Sequence, residues 1–118
     1  MMDTNMASFL AALDELIRRA PLRIDRPRGS AHPRFPEVVY PLDYGFLEDT
    51  GGGDAEGVDV FRGSAAGAGL VGVALTADLT KRDVEVKLLL DCSAAEIDTV
   101  EHFLHERLRL NSAVIRRT

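Results

Sequence analysis

Hydrophobic residues recur at intervals of three and four near the start of the chain, at Met6, Phe9, Leu10, Leu13, Leu16 and Ile17. That spacing puts them on one face of a helix predicted over about residues 6–19, which Pro21 closes. The stretch RIDRPRGSAHPRFP, residues 23–36, breaks the period with Pro27, Pro33 and Pro36, and reads as extended or irregular chain with at most short edge strands. Aliphatic and β-branched runs bounded by Gly, Pro and Asp then predict strands at 37–40, 57–62, 69–76 and 83–90, forming a small mixed or antiparallel sheet. Ser93 followed three residues later by Glu96 is a capping box, opening a helix to about Leu108 whose inner face would hold Ile97, Val100, Phe103 and Leu104. The tail SAVIRRT is read as a further strand. Helices at both ends of a strand-rich middle make the fold class α+β.

Composition narrows the classes. A chain of 118 residues with 46% hydrophobic content supports one domain with one core, and no apolar run approaches the roughly 18 residues of a membrane span. The formal charge of −5 argues against a nucleic-acid partner, which needs a basic footprint, and no membrane partner is expected. The first residues carry Asp3, Asp14 and Glu15 and no basic leader, so they do not read as a secretory signal. Cys92 is the only cysteine, in keeping with a reducing compartment, and the expected location is cytoplasmic.

The candidate chemistry begins at Gly51, Gly52 and Gly53, which precede Asp54, Glu56 and Asp59. Glycines open backbone angles closed to other residues, so such a loop can turn its acids inward. Convergent carboxylates suit a hard cation such as Mg²⁺ or Mn²⁺. Taken alone, the motif fits a solvated acidic turn slightly better, because three acids in a surface turn are common. Asp78 and Asp83 flank a second turn, where Asp83 would join Asp54 and Asp59 around one cation and Asp78 would bind another, or both would serve as ordinary hairpin-turn aspartates. Glu101, His102 and His105 on the last helix read as a solvated face.

Taken in order, RPRGSAHPRF, YPLDYGF, DAEGVDV and VGVALTADLTKRDVEVKLL resemble the motifs of the family I soluble inorganic pyrophosphatases, over roughly residues 24–108. The resemblance implies a small OB-like β-barrel over about residues 23–90 with flanking helices, Mg²⁺-dependent hydrolysis of pyrophosphate to two phosphates, and often a homo-oligomer. It implies metal ligation by Asp54, Asp59, Asp78 and Asp83, catalytic roles for Glu56 and Tyr44, and phosphate binding by Arg34, Tyr40 and Lys87. Glu56 stands where the family carries the Asp proposed to take a proton from the attacking water. Glu85 replaces a family Lys, with Lys87 following on the same strand face, and an arginine-bearing hairpin of the family is absent. Hydrolysis of another phosphoanhydride such as a nucleotide, and binding without catalysis, stand as alternatives.

Overall fold

The computed structural model describes residues 3–52 and 57–117. Helix α1 (Thr4–Arg19) begins where the Asp3 carboxylate accepts a hydrogen bond from the Met6 N–H at 2.7 Å, and ends at Ala20, whose backbone is extended ahead of Pro21. Five strands follow: β1 (Leu22–Arg26), β2 (Asp43–Leu47), β3 (Val58–Arg62), β4 (Leu70–Asp78) and β5 (Asp83–Leu90). Helix α2 (Ala94–His102) runs into a wider π-type turn (Phe103–Arg107), and β6 (Asn111–Arg116) closes the order.

The strands form one sheet in the order β1-β2-β3-β5-β4-β6. β3 and β5 are parallel, and every other neighbouring pair is antiparallel. β1 and β6 are the two edges, and no pairing between them closes the sheet among the described residues. The fold is therefore α+β, and among the described residues the six-stranded sheet does not close into the expected barrel.

Alternation along the strands divides the core into two layers. Val60, Val73 and Leu88 pack against Leu10 and the α1 face formed by Met6, Leu13, Leu16 and Ile17. Phe61, Ala74 and Leu89 point the other way, under Ile97, Val100, Phe103 and Leu104. This second layer covers only one end of its sheet face. The same face continues past it through Asp59, Lys87, Glu85 and Thr76, so the register itself lines up polar residues beyond the edge of the core.

Three local features depart from the predicted elements. Residues 37–40 make an isolated bridge between Ala31 and Val39 instead of a strand, hemmed by Pro33, Pro36 and Pro41, which cannot donate to a ladder. β2 has no clear sequence signal, because Gly45 interrupts a short run, yet glycine is required there: a Cβ would stand 1.8 Å from the Arg23 carbonyl oxygen of β1. The last helix keeps regular geometry only to His102, and the Leu108 N–H then reaches back five residues to the Phe103 carbonyl at 3.0 Å. The capping box is present, with Ser93 and Glu96 each accepting from the other's backbone N–H. Ser93→Ala should lower stability by about 1 kcal/mol, to be read as a reduced midpoint in urea unfolding with an unchanged slope.

Candidate functional site

A cavity of about 370 Å³ opens beyond the end of the α2 core layer. β2 supplies Tyr44, β3 supplies Asp59, β4 ends in Asp78, and β5 supplies Glu85 and Lys87. The 27–41 loop contributes His32, Arg34, Phe35 and Tyr40, while β1 contributes Asp25 and Arg26. Parallel register sets Asp59 opposite Lys87, and period-two alternation sends Glu85 to the same side as Lys87.

The centre of the cavity is a closed polar cluster. Lys87 is 5% exposed; its Nζ donates to the Tyr44 hydroxyl at 2.8 Å and to Asp59 Oδ2 at 3.0 Å, and stands 3.7 Å from Glu85 Oε1. Burial above all, then the Asp59 charge and hydrogen bond, push the Tyr44 phenol far above its usual range. Tyr44 therefore keeps its proton and acts as a donor instead of a base. Burial also raises the Glu85 carboxyl; Lys87 opposes this, while Asp59 and Asp83 add to it.

Arg26 donates to the Tyr40 hydroxyl at 2.5 Å, and its guanidinium lies 5.5 Å from the Tyr40 ring centroid and 5.8 Å from that of Tyr44. Arg34 lies over the Phe35 ring at 5.8 Å. The His32 Nδ1 accepts from the backbone N–H groups of Arg34 at 3.0 Å and Phe35 at 3.2 Å, which orients the ring and leaves the proton on Nε2. Burial, then the Arg26, Lys81 and Arg34 charges, lower the His32 pKa, so the ring is neutral at physiological pH.

The loop is tied to the sheet at Asp43, which accepts from the Arg28 N–H at 2.9 Å and pairs with Arg62 at 2.9 Å. The Arg28 backbone donor first, then Arg62, hold the Asp43 carboxyl below its ordinary value. A depressed carboxyl contributes stability above its unfolded pKa of about 3.9 and loses it as pH falls through the folded value. Asp43→Asn should accordingly flatten the loss of thermal stability below about pH 4, visible as a smaller drop in Tm between pH 5 and pH 3 than in the parent.

Asp59, Asp78, Tyr44, Tyr40, Arg34 and Lys87 thus line one cavity. Asp78 also accepts from the N–H groups of Thr80 at 3.0 Å and Lys81 at 3.1 Å, the hairpin-turn role open from the sequence. Asp83 pairs across the hairpin with Asp78 at the start of β5, four residues before the position opposite Asp59, about 13 Å along the strand. Asp54 and Glu56 lie outside the described residues. Glu101 stands apart from the cavity, accepting from Arg116 at 2.8 Å.

Oxygen donors of this kind suit a hard cation. Among the described residues, however, no three His, Cys, Asp or Glu side chains converge closely enough to hold one.

Comparison with family models, with curated proteins and with solved structures gives no match. The pyrophosphatase resemblance accordingly rests on the sequence motifs alone. Sequence reading gave no site role to Arg26, His32 or Lys81, and noted Glu85 only as a departure from the family pattern. Arg26 had a usable signal in its place within the basic RPRGS segment. His32 had none, because only the folded loop brings its ring onto Tyr40, with centroids 6.0 Å apart and planes within 6°. No helix among the described residues is long and apolar enough to cross a membrane.

Proposed function

We propose that the cavity binds and hydrolyses pyrophosphate, releasing two phosphates. The observation that carries this reading is the gathering of Arg34, Tyr40, Tyr44, Asp59, Asp78 and Lys87, drawn from separate motifs, around one opening. Arg34, Arg26 and the remaining Lys87 N–H would hold phosphate oxygens, with the Tyr40 hydroxyl oriented by Arg26. Tyr44, kept protonated by burial, would give its one proton to the Asp59 carboxylate and hold that carboxylate in place. Glu56 keeps the proton-accepting role that the motif suggests.

The cavity carries Arg26, Arg34, Lys81 and Lys87 against Asp25, Asp59, Asp78 and Glu85, so its formal charges cancel. A polyanion entering such a site needs further positive charge. Mg²⁺, or Mn²⁺ in its place, is the proposed cofactor and would supply that charge and an activated water. The OB-like arrangement, a cytoplasmic location and assembly into a homo-oligomer belong to the same reading.

One observation favours a second reading, binding without catalysis: the Lys87 ammonium already occupies an Asp59 oxygen at 3.0 Å. Phosphate release from pyrophosphate, followed while Mg²⁺ is raised from zero, tests the choice. The hydrolase reading expects turnover that requires the metal. Pyrophosphate binding without phosphate release at any Mg²⁺ or Mn²⁺ concentration would replace it with the second.

A further inference from the structure

The cavity has two unlike halves. One is the charged group around Lys87; the other is an apolar and aromatic wall that pyrophosphate cannot use. His32 and Phe35 form part of that wall, their ring centroids 5.2 Å apart, and Phe35 is 47% exposed. Leu108 and Leu110 line the same cavity from the turn after α2. Arg107 ties that turn to the loop, its Nη2 donating to the Glu37 carbonyl at 2.9 Å. At about 370 Å³ the opening falls within the roughly 300–1,000 Å³ of sites that enclose organic ligands. Phe35, half-exposed where it lines the cavity beside His32 and under the Arg34 guanidinium, offers aromatic surface to a flat base.

We propose that the substrate class is a nucleoside di- or triphosphate, with its phosphates at Lys87, Arg34 and Arg26 and its base on the wall formed by His32, Phe35 and Leu108. This rests on the hydrolase reading of the same cavity and puts a nucleotide carrying the same phosphoanhydride bond ahead of pyrophosphate as the preferred substrate. Water adds its oxygen to the terminal phosphorus, and the bond from that phosphorus to the bridging oxygen breaks. The bridging oxygen leaves on the shortened nucleotide, and the products are that nucleotide, one phosphate and one proton. Stacking does not distinguish one base from another, so no base preference is expected.

The test compares initial rates for ADP, ATP and pyrophosphate with the full chain and Mg²⁺, alongside metal-free binding of ADP read by saturation transfer to its base protons. The proposal expects kcat/KM for ADP to exceed that for pyrophosphate by about tenfold or more, and Phe35→Ala to lower the ADP-to-pyrophosphate ratio by about 5- to 150-fold, the span of one base-stacking contact. Cleavage of pyrophosphate without cleavage of ADP or ATP overturns the proposal and leaves the hydrolase reading standing. If nothing is cleaved, the hydrolase reading fails; saturation transfer to the base that Phe35→Ala weakens would then still uphold the nucleotide site, and its absence would overturn that as well. A ratio unchanged by Phe35→Ala also overturns it.

Discussion

Lys87→Met should destabilise the fold by about 3–5 kcal/mol at neutral pH, the usual result of removing one partner from a buried ion pair. Lys87 is 5% exposed and faces both Asp59 and Glu85, so its loss leaves two carboxyl groups buried side by side without their cation. Methionine fills similar space, and packing therefore contributes little. The loss should depend on pH in a definite direction. Glu85 is already raised by burial, and without Lys87 it rises further. A raised carboxyl pKa is compatible with folding while the group is protonated, and stability is lost as pH rises through that value. The penalty should accordingly be smaller at pH 5 than at pH 8 in paired urea titrations. A penalty independent of pH would mean that the two carboxylates reach solvent once Lys87 is gone.

Asp59→Asn should leave the fold nearly intact and reduce turnover by about 10²–10³, comparable to removing one preorganised electrostatic group from an active site. Asparagine keeps the shape and still accepts a hydrogen bond from Lys87 Nζ, while Glu85 remains 3.7 Å away as a counter-charge. What disappears is the negative charge that Tyr44 and Lys87 are arranged around, and with it a proposed metal ligand. Circular dichroism should show a native spectrum for this variant. Equal losses of structure and rate would assign Asp59 to stability alone.

Much of this arrangement was legible in the sequence, and the physical reason differs by element. The α1 face from Met6 to Ile17 and the β4–β5 hairpin follow from side-chain period, which burial on one face enforces. The Ser93 capping box is local chemistry that needs nothing beyond its own four residues. β2 was hidden because Gly45 looks like a strand breaker until the Arg23 carbonyl is seen against it. The 37–40 segment misled in the opposite sense: its side chains favour a strand while its flanking prolines permit only a bridge. In the cavity, Tyr44, Asp59 and Lys87 could be selected by motif and alternation, but their mutual hydrogen bonds depend on the parallel pairing of β3 with β5, a non-local contact. Glu85 looked like a reversal of charge in a phosphate site; the structure shows it 3.7 Å from the Lys87 ammonium, which it shares with Asp59.

The most direct measurement is phosphate release from pyrophosphate under saturating Mg²⁺ by the parent chain and by Asp59→Asn, prepared in parallel and both shown to be folded. The account predicts metal-dependent release by the parent and a loss of about a hundredfold or more in the variant. Equal rates in the two proteins, or no release by the folded parent, would contradict the claim that the Asp59–Lys87 cavity is a hydrolytic site.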